Sequence, residues 1–139
     1  MKKIILLISL ILLKGCSVGD EGSGIMQELA PVISVEMPET LTFRQTHEIV
    51  VTFKKPSTCH SFSGFDIQKD GNEITVGVVT SFDTNNNNCE TTGNLTTSTR
   101  LNFVADRDDF YIFKFWQGEN ANGDVQFLIK EVPVSQPGL

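Results

Sequence analysis

The sequence predicts an all-β fold, a two-sheet sandwich of seven or eight short strands with Greek-key connections. Three observations carry this. Apolar residues alternate at period two, most clearly Ile49, Val51 and Phe53, with Thr52 and Lys54 on the other phase. Turn signals rich in Gly, Pro, Asn and Asp recur about every ten residues, the spacing of small sandwiches. No stretch repeats its apolar residues at the spacing of an amphipathic helix. A small closed barrel is the competing arrangement of the same strands.

The elements follow in order. Val32-Ile33-Ser34-Val35 is a first strand, stopped by Pro38, which cannot donate to a ladder. Leu41-Thr42-Phe43 is a short second strand. Residues 47–54 alternate until Pro56 breaks them. Residues 62–68 alternate again, Asp70-Gly71-Asn72 is a tight turn, and the Val-, Ile- and Thr-rich residues 74–82 return from it as a hairpin. Residues 83–88 are a polar loop. Residues 96–105 hold a strand centred on Leu101-Asn102-Phe103-Val104, and Asp106-Arg107-Asp108-Asp109 is a charged corner. Residues 110–117 make the strongest strand, with Phe110, Tyr111, Phe113, Phe115 and Trp116; residues 118–123 turn it back into a last strand over 126–134.

The strong strand also predicts its own register. Side chains alternate between the faces of a sheet. Lys114 shares a phase with Phe110, Ile112 and Trp116, and an unpaired lysine is costly to bury. Tyr111, Phe113 and Phe115 therefore point inward, to meet Ile49, Val51 and Phe53. Trp116 points outward.

Residues 1–15 read as an export segment. Met1-Lys2-Lys3 is a positive start, and the uncharged run Ile4 to Leu13 follows. As a helix that run spans only about 15 Å, half of a bilayer core of roughly 30 Å. Leu13-Lys14-Gly15-Cys16 then resembles the lipobox of bacterial lipoproteins (apolar, any, small, Cys), with Lys14 in place of the usual small or apolar residue. The resemblance implies acylation of the Cys16 thiol and cleavage before it. Two or three acyl chains anchor a protein stably. Ser17 after the cysteine is similar to an outer-membrane address, and Ser17-Val18-Gly19-Asp20-Glu21 is similar to the acidic tethers of Bacteroidota-type surface lipoproteins. The Gly-, Ser- and acid-rich stretch 16–30 reads as a flexible tether, and residues 31–139 as a single domain.

Tyr111-Ile112-Phe113-Lys114-Phe115-Trp116, after an acidic corner and before a Gly-bounded hairpin and a Val-Pro-Val ending, resembles the last two strands of bacterial immunoglobulin-like or fibronectin-III-like domains. The resemblance places Tyr111 at the tyrosine corner of such folds. It implies a fold and is silent on activity.

The chain of 139 residues carries a net charge of −6, and its first fifteen residues hold three of the eleven basic residues and none of the seventeen acids. The exported body is therefore more acidic still, which argues against a nucleic-acid partner. With Cys16 lipidated, Cys59 and Cys89 remain as an even pair in an exported protein and read as a disulfide pinning loops at one end of the sandwich. A zinc site using His47 or His60 is the weaker alternative. Asp83 to Asn87 offer oxygens at alternate positions but lack the glycine and glutamate of a calcium loop, and read as a solvated loop. No Gly-x-Ser-x-Gly elbow occurs, and two histidines form no readable triad. Trp116, the only tryptophan, with Asn120 and Asn122 close in sequence, is the candidate ligand contact.

The expectation is a non-enzymatic, lipid-anchored outer-membrane protein, turned toward the cell surface by its tether. It would bind or adhere to a protein or glycan ligand, with no cofactor, no metal and no nucleic acid. The alternative of another class is a structural spacer or accessory subunit of an envelope complex. A glycan-binding protein or small hydrolase stands behind both.

Overall fold

The structure, a computed structural model, describes residues 24–138. The export segment, Cys16 and the tether residues before Gly24 lie outside the described residues. Nine strands follow one another: β1 (Ile25–Ala30), β2 (Val32–Glu36), β3 (Leu41–Thr42), β4 (Thr46–Lys54), β5 (Ser61–Asp70), β6 (Glu73–Asp83), β7 (Thr96–Val104), β8 (Phe110–Glu119) and β9 (Val125–Ser135). There is no helix among the described residues. The all-β sandwich is as the sequence predicts.

One sheet has the order β2-β4-β7; the other has the order β1-β6-β8-β9-β3, with β5 also on β6. β6 organises the larger sheet. One edge pairs with β5 over residues 73–81. The opposite edge is shared: Glu73 to Val76 pair with β8, and Val78 to Asp83 pair with β1. The β6–β8 and β3–β9 pairings are parallel and the others antiparallel. The parallel β6–β8 pair departs from the antiparallel sheets of an immunoglobulin arrangement.

The core has the predicted register. Ile49, Val51 and Phe53 of β4 are fully buried, as are Tyr111, Phe113 and Phe115 of β8. Phe103 of β7 meets Tyr111 and Phe113 edge-on, with ring centroids 4.9 and 5.0 Å away. Edge-to-face pairs of this kind add to burial because the positive ring edge meets the negative face. Phe62 and Phe65 of β5 close the side of the sandwich, Phe62 lying 6.1 Å from Phe53.

The tether expected over 16–30 requires correction at its end, because Ile25–Ala30 is strand β1. Ile25 and Met26 are more than half exposed, so no buried phase marks the segment in sequence. Its order comes from pairing with residues 78–83 of β6. Pro31, which has no N–H to donate, then turns the chain from one sheet to the other. Val32 begins β2 opposite Phe53, and the Pro31 carbonyl accepts the Lys54 N–H at 3.0 Å. The strands therefore include residues 25–30, which the sequence reading gave to the tether.

Tyr111 ties the charged corner to the core. Its hydroxyl accepts the N–H groups of Asp106 and Arg107 at 2.8 and 3.0 Å and donates to the Asp106 carboxylate. That bond lowers the Asp106 pKa, while burial first and the Asp106 bond second raise that of Tyr111. The Asp106 contribution is present above the ordinary carboxylate range, near pH ~4, and is lost as pH falls through the lowered folded value. The Tyr111 contribution is intact below pH ~10 and is lost as pH rises through its raised value. Replacing Tyr111 by Phe is expected to cost about 1–3 kcal/mol near neutral pH, since it orphans two backbone donors. It should also flatten part of the acid limb. Urea midpoints through the acid range check both, and an unchanged acid limb would refute the Asp106–Tyr111 link.

Candidate functional site

The outward phase of β8 lies on the free face of the larger sheet. Lys114 is paired there, its Nζ 3.0 Å from Glu73 Oε1 and 4.7 Å above the Phe127 ring. Trp116 follows on the same face, directly across from Phe127 in the β8–β9 ladder. The two aromatics border a hollow of about 170 Å³. Its floor is Thr75 and Gly77 of β6, one wall is Asp66 and Gln68 of β5, and Leu29 of β1 closes the far end.

The topology explains the hollow. β6 and β8 stay paired only to Val76 and Phe115. Trp116 is the next residue, just where β8 parts from β6 and β1 enters. A bulge between Trp116 and Glu119, with Gly118 at φ 93°, completes the divergence. Gly77 keeps the floor deep. A Cβ at this position would come within 3.0 Å of the Leu29 side chain, so a larger residue would fill the depression.

Asn120 and Asn122 do not join Trp116. The Asn120 side-chain oxygen accepts the N–H groups of Asn122 and Asp124 at 2.9 and 3.0 Å, and the Asn120 N–H donates to the Asp124 carbonyl. This is the closing chemistry of a β-hairpin tip. Neither residue lines the hollow. The polar groups there come from Asp66, Gln68 and Thr75, about forty to fifty residues upstream of Trp116. Only the outward phase of β5 and β6 hinted at them in sequence.

A larger depression, about 510 Å³, lies at the seam between the sheets, where Val35, Met37 and Val132 meet Glu36, Glu39, Lys130 and Glu131. It is an open gap at the sandwich rim without an aromatic ring. The smaller hollow combines aromatic and polar groups on one rigid sheet, so we take it as the candidate site despite its size.

The cysteines form the expected bridge, Cys59 to Cys89, with Cα atoms 5.4 Å apart. Beside it, Ser57, His60 and Glu28 are hydrogen-bonded in series. Ser57 Oγ is 2.7 Å from His60 Nδ1, and His60 Nε2 is 2.9 Å from Glu28 Oε2. Sequence reading missed this series because Glu28 sits on the unforeseen β1. It resembles a nucleophilic triad only in composition. Ser57 is 5 % exposed, and its Oγ accepts the Cys59 N–H at 3.2 Å, closing a local turn. The His60 ring packs 4.4 Å from Phe82. The series fastens β1 to the β4–β5 loop. His47 accepts the Thr42 N–H at 2.8 Å. In the polar loop, Asp83 and Asn86 side chains accept the N–H groups of Asn85 and Asn88, which makes turns of it. At the charged corner Arg107 makes a two-point ion pair with Asp109, whose pKa falls to about 2, chiefly through that bond.

Comparison with protein-family models, with curated protein sequences and with solved structures gives no match.

Proposed function

We propose that the protein is a non-enzymatic lipoprotein of the bacterial outer membrane whose β-sandwich is an extracellular binding module, with the Trp116 hollow as its ligand seat. The hollow carries this reading. It brings two aromatic side chains and three polar ones to one concave spot on a sheet face that no other element covers among the described residues. Aromatic anchors beside a few convergent polar groups are the common composition of small-ligand sites.

The anchor at Cys16 fits the geometry of the domain. Gly24 hydrogen-bonds to Thr84, so the chain enters at the end that carries the bridge, the Asn-rich loop and the β8–β9 turn. The eight residues from Cys16 to Gly24 reach at most about 29 Å fully extended. With Cys16 in the bilayer, the bridged end is the one nearest the point of attachment, and the hollow lies on the sheet face beside it.

The anchor is tested by mass and by fractionation. Membrane-extracted protein is expected to carry acyl mass on an N-terminal Cys16, and Cys16→Ser should lose that mass and the detergent-phase partitioning. An unmodified Cys16 thiol in the membrane fraction would overturn it.

A further inference from the structure

We infer that the Trp116 hollow takes a neutral pyranose ring, so that the ligand is a glycan; this deepens the binding reading above and rests on it. Three features of the hollow point to that chemistry.

The first is shape. A hollow of about 170 Å³ is of the size of one six-membered ring with its substituents. The second is the pairing of surfaces. The indole of Trp116 borders the hollow opposite a polar wall, and its electron-rich face attracts the polarised C–H groups on one side of a sugar ring. Asp66 and Gln68 stand two apart on β5, both on the outward phase, across from Gly77 and Thr75 of β6. Among the described residues, neither side chain is engaged by another. A carboxylate that only accepts, beside an amide that accepts and donates, suits vicinal hydroxyls.

The third is charge. Asp66 repels an anionic ligand, and Lys114 is already neutralised by Glu73. A cation would be drawn to Asp66 and the rings, but the Phe127 ring is already taken by the Lys114 ammonium, 4.7 Å from its centroid, which leaves a cation only the indole. A neutral polyol with an apolar face meets none of these penalties. A single ring is expected to bind in the millimolar range, as ligands of about a dozen heavy atoms do.

Trp116 is the only tryptophan, so a 5-fluorotryptophan label gives one ¹⁹F signal, at the site itself. The mature lipidated chain, in a detergent without a sugar headgroup, is titrated with neutral oligosaccharides of glucose, galactose, mannose and N-acetylglucosamine. Choline and benzyl alcohol are titrated in parallel. The expected result is a saturable shift with at least one sugar series. Calorimetry with that sugar should show binding weakened at least tenfold in Asp66→Ala and lost in Trp116→Ala. Asp70→Asn, on the same strand but outside the hollow, should bind as the parent does, and all three variants should keep the parent's circular dichroism. If choline or benzyl alcohol shifts the signal and no sugar does, the hollow remains a ligand seat and the glycan assignment falls. If no probe shifts it, the ligand-seat reading falls as well. Sugar binding that survives Trp116→Ala would move the glycan elsewhere and overturn the inference.

Discussion

Phe113→Ala is expected to lower the unfolding free energy by about 3–5 kcal/mol, whereas Trp116→Ala, three residues on, should cost about 1 kcal/mol or less. The contrast follows from the two faces of β8. Phe113 is fully buried, with Phe103, Tyr111 and Phe115 around it at ring distances of 5.0 to 5.9 Å. Removing its ring leaves a cavity that rigid strands on both sides cannot collapse into. Trp116 is only half-buried, and its loss opens the hollow to water instead of creating a void. What it forfeits is mainly its place opposite Phe127 in the β8–β9 ladder. Urea denaturation of the two variants beside the parent measures the difference. The reverse ranking would overturn the register of β8 and, with it, the outward placement of Trp116.

That register was legible because one residue decides it. Lys114 had to avoid the core, and its phase assigned every other side chain on the strand. The β5–β6 hairpin was equally readable, since Asp70-Gly71-Asn72 permits little but a tight turn, with Gly71 at φ 61°. Partner choice among distant strands left no such mark. Nothing local says that β6 lies parallel to β8, or that the second half of its edge waits for β1. Ile25 to Ala30 lacks alternation because its side chains are mostly exposed, so pairing with β6, the Glu28–His60 bond and buried Ala30 order it.

The candidate site divides along the same line. Trp116 could be placed on the free face from β8 alone. Its neighbours could not, because Asp66, Gln68, Thr75 and Gly77 reach it through pairings of β6 with β5 and β8. Asn120 and Asn122 were close in sequence and polar, yet a hairpin tip uses such residues to satisfy its own backbone. Nearness along the chain was a poor guide to nearness in space wherever a strand intervened.

Removing the Cys59–Cys89 bridge, as the Cys59→Ser/Cys89→Ser double variant, is expected to lower stability by about 3–4 kcal/mol, the loop-closure entropy returned to an unfolded chain bridged across roughly thirty residues. The folded state should keep its shape, because the bridged loops are also joined without sulfur. The Thr58 N–H donates to the Glu90 carbonyl at 2.9 Å, the Glu90 N–H to Thr58 Oγ1 at 3.0 Å, and the Lys55 N–H to the Leu95 carbonyl at 2.9 Å. Buried Leu95 and the Ser57–His60–Glu28 series hold the same end of the sandwich. The loss should therefore appear as a lower urea midpoint with unchanged circular dichroism. Hydrogen exchange should quicken first in residues 84–95, which belong to no strand and are held by loop and turn bonds alone. Domains of this size have about 5–15 kcal/mol in all, so the variant should still fold at room temperature with a much reduced margin. Equal midpoints for the parent and the double variant would show that the bridge contributes nothing to stability. Loss of the folded spectrum would show that the hydrophobic core cannot hold the two sheets together without it.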